Sequence, residues 1–250
     1  MVKKAFVINL ERRKDRLSQF KKRNYDKLTD LDLSIFEAID STKFSFTEKL
    51  TIFKNYQFNN SLIDKFYGTT GELGCFLSHY LLWKKSVELK EEILIFEDDC
   101  IVNSNFHVLN YVLNKSNNIP PNIEILWIGT YQSSKQSRDI YPQIKDFKEH
   151  FHMIHPEPQN KGCLYPYCYI INPKIANDLC KIVEEKNVKL HAVDHFLCEN
   201  TGINNSHLTF INNTEELQNT FICTAPQGDS DIQNTPSVSK LHRVVIKNKL

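Results

Sequence analysis

Three adjacent carboxylates, Glu97, Asp98 and Asp99, directly follow the apolar segment 92–96 (EILIF). That segment is typical of a central strand, and open α/β sheets place their ligand groups at the carboxyl ends of such strands. Neighbouring carboxylates repel one another, a cost that a divalent cation or exposure to water offsets. A solvated acidic turn is the plain alternative, but the position at a strand end favours a ligand site.

A second acidic pair, Asp229 and Asp231, lies in the polar tail of the chain. Hard divalent ions that handle nucleotide phosphates take oxygen ligands from separated chain segments, so the two acidic segments could meet around one ion. On spacing alone, a surface Asp-Ser-Asp turn is the better interpretation of this pair.

Four of the six arginines lie between residues 12 and 23, after a predicted strand at 4–10. If a helix begins near Arg12, Arg12 and Arg16 share one face beside its N-terminus, where phosphate is favoured. Guanidinium groups bind phosphate oxygens in pairs, so the pattern is that of a diphosphate site. A salt-bridged surface helix involving Glu11 and Asp15 is the common alternative.

Three of the seven glycines, Gly68, Gly71 and Gly74, stand at the start of a predicted helix that Thr69 and Thr70 cap and that runs to about residue 89. Such glycines indicate close approach of the backbone to a ligand or tight helix packing, and both remain open. The spacing fits neither a dinucleotide fingerprint nor a Walker loop.

Two polar side chains on the same predicted helix, Glu72 and His79, are seven residues apart and share one face. His79 either packs in the core or orients Glu72 through a hydrogen bond.

Asp194 stands between His191 and His195 at the start of another predicted helix. Taken alone it is best read as an N-cap. The functional alternative is a general base, because a carboxylate that points into a site can take a proton from a hydroxyl group.

The elements that would position these groups alternate between strand and helix. Predicted strands cover residues 4–10, 33–38, 92–96, 123–128, 163–171, 209–212 and 221–224, and predicted helices cover 13–28, 70–89, 106–115, 173–186 and 193–199. This order predicts one α/β domain on a mostly parallel sheet, with an irregular segment at 44–66 and a polar excursion at 130–160.

Composition excludes several classes of protein. The 250 residues are 41% hydrophobic and 24% charged, which excludes a disordered chain, and the formal net charge of +1 gives no general attraction to nucleic acid. The mean hydropathy of −0.41 and the lack of an apolar run of about 18 residues argue against a membrane span. The apolar run near the N-terminus is too short for a signal peptide, and seven cysteines without zinc-finger spacing suit a reducing compartment, so a cytoplasmic location is expected.

Taken together and in order, these segments resemble glycosyltransferase family 25, the lipooligosaccharide-biosynthesis and collagen-galactosyltransferase-like group. The segments that carry the resemblance are 7–16 (VINLERRKDR), 71–79 (GELGCFLSH), 94–99 (LIFEDD), 193–195 (VDH) and 227–232 (QGDSDI). Any one of them is weak, but five in sequence, spanning nearly the whole chain, are specific.

The resemblance implies a GT-A-type, Rossmann-like fold with a nucleotide-sugar-binding half at about 1–130 and an acceptor-binding half with the tail at about 131–250. It also implies transfer of a hexose from a UDP-sugar, with inversion, to a glycan or glycoprotein. Glu97 and Asp99 then stand where a DxD motif holds the ribose and a Mn²⁺ or Mg²⁺ ion, and whether Glu97 or Asp98 faces the nucleotide is open.

The same resemblance assigns roles to the remaining candidate residues. Asp99, Asp229 and Asp231 would bind the metal, with His242 as a rival ligand, and Asp194 would deprotonate the acceptor. The cofactor-binding group would comprise Asn9, Arg12, Arg16, Glu72, His79, Glu97 and Asp98. The alternatives are a catalytically silent nucleotide-sugar or glycan-binding protein of this fold and, ranked last because no nucleophile motif is present, a Mg²⁺-dependent phosphohydrolase.

Overall fold

The structure is a computed structural model that describes residues 2–40, 62, 65–102, 125–131, 144–147, 151–154, 167–185, 188–200, 207–212, 220–221, 223–225 and 235. The strands are β1 (Lys4–Asn9), β2 (Asp32–Glu37), β3 (Ile93–Glu97), β4 (Ile101–Val102), β5 (Ile125–Trp127), β6 (Gly129–Tyr131), β7 (Ile144–Phe147), β8 (Phe151–Ile154), β9 (Cys168–Ile171), β10 (His207–Asn212), β11 (Thr220–Phe221) and β12 (Cys223–Ala225). The helices are α1 (Lys14–Asn24), α2 (Thr70–Leu89), α3 (Pro173–Glu184) and α4 (Val193–Asn200), with a short 3₁₀ helix at Tyr25–Lys27 after α1.

Within the described part of the chain, nine strands form one sheet in the order β2-β1-β3-β9-β5-β10-β8-β7, with β11 paired to β10. Six of them, β2, β1, β3, β5, β10 and β7, run in one direction, and β9, β8 and β11 run in the other. A smaller sheet has the order β4-β12-β6. The predicted α/β class with a mostly parallel sheet is confirmed.

The central strand β3 contributes side chains to two hydrophobic cores, one on each face of the sheet, which explains its unbroken apolar sequence. Ile93 and Ile95 point to a core shared with α2, α3 and α4, whereas Leu94 and Phe96 point to a core shared with α1 and the smaller sheet. Helices therefore cover both faces of the sheet. The first four residues of β3 are buried between them, and Glu97 is the first residue of the strand that is partly exposed.

Helix α2 is buried on most of its surface because it lies between the sheet and two other helices. Phe76 packs edge-on against both Trp83 and Phe196, with ring centroids 5.9 and 5.1 Å apart, and Trp83 stacks on Phe196 at 5.9 Å. Since Phe196 belongs to α4, these rings fasten α4 to α2 and set the position of the start of α4.

Local sequence signals place most elements within a few residues. The first helix ends at Asn24 rather than near residue 28, because the chain tightens there into the 3₁₀ turn. The excursion expected at 130–160 contributes the antiparallel pair β7 and β8. The predicted helix 106–115, nearly all of the irregular segment 44–66 and almost the whole tail lie outside the described residues.

Strand β9 comes from the predicted acceptor-binding half, yet it lies between β3 and β5 of the other half. The division of the chain near residue 130 stays a prediction. None of the described helices is long and apolar enough to cross a membrane.

Candidate functional site

The acidic segment lies where the carboxyl ends of β1 and β3 meet. Glu97 ends β3 and pairs in register with Ile8 of β1, so Asn9 stands beside the acidic turn. The Asn9 Nδ2 atom donates to Asp98 Oδ2 at 2.6 Å and to the Arg13 carbonyl at 3.1 Å. Asn9 is buried and joins the turn after β3 to the segment that leads into α1.

Arg16 of α1 binds the two aspartates of this turn. Its Nη2 atom lies 2.8 Å from Asp98 Oδ1 and 2.7 Å from Asp99 Oδ2, and its side chain is 16% exposed. Arg12 lies before the helix, which begins at Lys14, and its Nε donates to Asp40 Oδ2 at 3.1 Å. Arg12 thus contacts Asp40, whereas Arg16 contacts Asp98 and Asp99, which differs from the shared face that the helical spacing predicts.

Burial makes the acidic turn electrostatically costly. It raises the pKa of Asp98 to about 6, although Arg16 and Asn9 oppose the shift. It raises the pKa of Asp99 to about 7, and the neighbouring Glu97 charge adds to this while Arg16 opposes it. The ionised form of the turn is therefore disfavoured unless a further positive charge approaches it.

One oxygen of this turn has no hydrogen-bond partner: Asp99 Oδ1 is buried and unpaired. A buried carboxylate oxygen without a donor is costly, and a cation that it ligates would relieve the cost. Carboxylate oxygens are the donors that Mn²⁺ and Mg²⁺ prefer. The described residues of the turn therefore fit a hard divalent cation.

A buried hydrogen-bond chain reaches Glu97 from the helix side. The Trp83 indole N–H donates to the Tyr169 hydroxyl at 2.9 Å, that hydroxyl lies 2.8 Å from His79 Nδ1, and His79 Nε2 lies 3.3 Å from Glu97 Oε1. Every polar group is satisfied when Tyr169 donates to Nδ1 and Nε2–H donates to Glu97. His79 is fully buried and stacks on Tyr169, so it packs in the core as one sequence interpretation holds. The carboxylate that its Nε2 contacts is Glu97 and not the Glu72 of the other interpretation.

Cys75 is a thiol that several acidic groups influence. Its Sγ lies 3.9 Å from Glu97 Oε1. Burial raises the pKa of Cys75 well above its usual value, and the carboxylates of Glu97, Asp194, Asp99 and Glu72 raise it further. Groups from the end of β3, the first turn of α2 and the first turn of α4 thus act on one thiol. Asp194 acts on this thiol although it lies about a hundred residues further along the sequence than the acidic turn.

Glu72 belongs to a capping box at the start of α2. Its Oε2 atom accepts from the Thr69 amide at 2.6 Å, and its own amide donates to Thr69 Oγ1 at 3.2 Å. Gly68 has φ +156°, and a Cβ there would lie 2.5 Å from Glu72 Oε2. At this position the glycine therefore gives room to the capping carboxylate.

The tail reaches the same helix end. Thr235 accepts a hydrogen bond on Oγ1 from the Gly71 amide at 2.8 Å. Asp229 and Asp231 precede Thr235 closely in the sequence, but they and His242 lie outside the described residues.

Asp194 is half-buried in the first turn of α4, and its Oδ1 accepts from the His195 amide at 2.8 Å. Its neighbour His191 lies 2.8 Å from Glu199 Oε2 and braces the helix. An aspartate in a first helical turn suits the helix dipole, so this position serves the helix whatever else Asp194 does.

The sequence interpretation missed Trp83 and Tyr169 as parts of the site. The available signal was a single hydroxyl group in the apolar strand β9 (CYII), since a buried hydroxyl needs a partner.

Comparison with known proteins supports the first four of the five sequence segments, and the fifth, 227–232, lies beyond the matched residues. The family model "Glycosyltransferase family 25 (LPS biosynthesis protein)" matches residues 2–197. A glycosyltransferase 25 family member of Aedes aegypti is 38% identical over 102 residues, which are 39% of this chain and 16% of that protein. The procollagen lysyl hydroxylase and glycosyltransferase of Acanthamoeba polyphaga mimivirus is 29% identical over 191 residues, 71% of this chain and 20% of that protein.

Procollagen galactosyltransferase 2 of Homo sapiens is 27% identical over 150 residues, which are 58% of this chain and 23% of that protein. The chain thus spans less than a quarter of the length of these curated relatives. The family model, in contrast, covers more than three quarters of the chain and includes the acidic turn, the capped helix α2 and Asp194. The chain belongs to glycosyltransferase family 25, as its five sequence blocks predict.

Proposed function

We propose that this chain is a metal-dependent, inverting hexosyltransferase that moves galactose, glucose or N-acetylglucosamine from a UDP-sugar to a hydroxyl group of a glycan or glycoprotein. The observation that carries the proposal is the buried acidic turn, in which Asp99 Oδ1 has no hydrogen-bond partner. Family membership supports the reaction class. The names of the family and of its relatives, which mention lipopolysaccharide and procollagen, support the acceptor class.

In this proposal the cation is Mn²⁺ or Mg²⁺, held by Asp99 with Glu97 and Asp98 beside it. Asp229 and Asp231 complete the ligand set, which the contact between Thr235 and Gly71 supports because it brings the tail to the start of α2. When bound, the cation supplies charge that neutralises the leaving diphosphate.

The nucleotide lies along the carboxyl ends of β1 and β3. Asn9 and Arg16 already hold the acidic turn from the β1 side, so a diphosphate bound at this turn contacts the same guanidinium group. Arg12 extends the basic surface towards Asp40. Glu72 and His79 act from the α2 side, His79 by orienting Glu97.

Asp194 takes the proton from the acceptor hydroxyl group as that oxygen attacks the anomeric carbon in line with the leaving UDP. The bond from the anomeric carbon to the diphosphate breaks as the new glycosidic bond forms, which inverts the configuration without a covalent enzyme intermediate. The support for this role is the electrostatic influence of Asp194 on Cys75, whose Sγ lies 3.9 Å from Glu97 Oε1.

The test compares Asp99→Asn and Asp194→Asn with the wild type. We expect UDP plus Mn²⁺ to raise the Tm of the wild type and of Asp194→Asn but not of Asp99→Asn. Transfer is expected to be lost in both variants. Asp178→Asn, which removes an exposed carboxylate on α3, is the matched control and should behave as wild type. Full metal-dependent transfer by Asp99→Asn contradicts the proposal.

A second candidate, a catalytically silent nucleotide-sugar or glycan-binding protein of this fold, is favoured by one observation. Arg16 Nη2 already lies within 2.8 Å of both aspartates and supplies part of the positive charge that a cation would bring. Binding of UDP-sugars without hydrolysis or transfer over a broad panel of acceptors distinguishes this candidate from the enzyme.

A further inference from the structure

A cluster of three cysteines lies beneath the acidic turn, outside the groups used above. Cys100 follows Asp99, Cys168 opens β9 and Cys223 opens β12, and their three Sγ atoms all lie within 4.8 Å of one another. Each side chain is at most 1% exposed. The three residues are 68 and 55 positions apart along the chain, so the fold and not local sequence brings them together.

The separation of the sulfurs is close to that of a thiolate metal site. A zinc ion with Zn–S bonds of about 2.3 Å and tetrahedral angles holds its sulfurs about 3.8 Å apart, so a closure of about 1 Å at most is needed. A disulfide needs sulfurs at about 2.05 Å and uses two of them, which leaves the third thiol without a role. A group of three at this spacing therefore favours a cation over a disulfide.

Charge near the cluster favours a divalent cation. Lys27 Nζ donates to the Val102 carbonyl at 2.8 Å, and Val102 pairs in register with Cys223. Three thiolates, one divalent cation and one ammonium group sum to zero charge, which is what a buried site requires.

The surroundings select a soft cation and not the ion of the acidic turn. The cluster lies in the apolar core with Phe20, Phe96 and Ile128. Thiolate ligands prefer zinc-class metals, whereas Mn²⁺ and Mg²⁺ prefer oxygen. Three cysteine ligands leave one position of a tetrahedral zinc ion for a ligand from outside this group.

We propose that Cys100, Cys168 and Cys223 form a structural site for one zinc-class divalent cation, which fixes the turn that carries Asp99. A cation there joins the turn after β3 to β9 of the large sheet and β12 of the small one. Asn24 already holds the same turn: its Nδ2 donates to the Cys100 carbonyl at 2.9 Å, and its Oδ1 accepts from the Val102 amide at 2.8 Å. The cysteine site restrains the acidic turn of the proposed UDP-sugar site and takes no part in transfer itself.

The experiment titrates the reduced full chain with Cd²⁺, a zinc-class probe whose bonds to thiolates absorb in the ultraviolet. We expect one Cd²⁺ per chain with sulfur-to-metal absorption. Cys223→Ala removes one of the three thiolates and should lose this absorption at the Cd²⁺ concentration that saturates the wild type. Cys75→Ala is the essential control, because Cys75, His79 and Glu97 also place ligand atoms within 4.8 Å of one another.

Absorption that persists in Cys75→Ala and disappears in Cys223→Ala supports the cysteine site. Absorption that is missing in the wild type, lost in Cys75→Ala or retained in Cys223→Ala overturns it. If Cys223→Ala does not fold, Cys168→Ala replaces it. A Cd²⁺-dependent rise in Tm that persists in Asp99→Asn then shows that this site is separate from the acidic turn, and loss of that rise in Asp99→Asn overturns the proposal.

Discussion

Arg16 supplies positive charge to the acidic turn through its contacts with Asp98 and Asp99, and its removal tests how the turn is stabilised. Arg16→Gln leaves the buried Asp98 and the partly buried Asp99 without the guanidinium that lies 2.8 and 2.7 Å from them. Breaking a buried ion pair by removing one partner costs about 3–5 kcal/mol, and the partial exposure of Arg16 places the expected loss near the lower value. We therefore expect the metal-free unfolding free energy to fall by about 3 kcal/mol at about pH 8.

The pH dependence of that loss has a definite sign. The pKa of Asp98 is raised to about 6 and that of Asp99 to about 7, so at about pH 5 both carboxyls are mostly neutral and need no countercharge. The cost of Arg16→Gln should then shrink to about 1 kcal/mol, the scale of lost packing and hydrogen bonding. Urea denaturation with a chelator at both pH values measures the difference.

Arg23→Gln is the matched control for this experiment. Arg23 is exposed on the same helix, α1, and the substitution is chemically the same. Surface substitutions of this kind change stability by about 0.5 kcal/mol or less. A loss for Arg16→Gln that is equal at both pH values, or no larger than that for Arg23→Gln, refutes the account of the turn.

Three further predictions concern the surroundings of the turn. Tyr169→Phe leaves Trp83 and His79 without a buried hydrogen-bond partner, so it should lower the unfolding free energy by about 2–4 kcal/mol and lower kcat more than it raises KM. The control Tyr80→Phe should lower the unfolding free energy by about 1 kcal/mol without affecting donor binding. Gly68→Ala should displace the capping carboxylate and lower the unfolding free energy by about 1–2 kcal/mol, as measured by urea denaturation; an unchanged value contradicts the crowding argument. Since burial raises the pKa of Asp99 in the folded chain to about 7, metal-free wild type should gain stability relative to Asp99→Asn as the pH falls from about 8 to about 5. Urea denaturation at both pH values measures this, and no relative gain contradicts the raised pKa.

The parts of the fold that sequence predicts well depend on local signals. The run EILIF ends in carboxylates, and Thr69 stands three residues before Glu72, so both β3 and the start of α2 follow from neighbouring residues. Strand β9 could not be placed in this way. Its four residues are apolar in any neighbourhood, and its antiparallel position between β3 and β5 depends on long-range pairing.

In the candidate site, too, local sequence signals predict single residues but not the long-range contacts between them. The acidic turn, Arg16 and Asp194 were predicted as residue types at suitable positions, but the contact of Arg16 with both aspartates joins segments about eighty residues apart. Zinc signatures in sequence are pairs of ligands a few residues apart, so a group such as Cys100, Cys168 and Cys223 escapes them. Only the tertiary structure brings such side chains together.

The central claim is that the acidic turn binds a UDP-sugar through a divalent cation and activates it for transfer. Hydrolysis of UDP-glucose, UDP-galactose and UDP-N-acetylglucosamine by the full chain, with Mn²⁺ or with a chelator, measures this without a known acceptor. The account predicts release of UDP from at least one donor with Mn²⁺, none with the chelator and none from Asp99→Asn. Failure of the folded wild type to release UDP from all three donors in the presence of Mn²⁺ would contradict it.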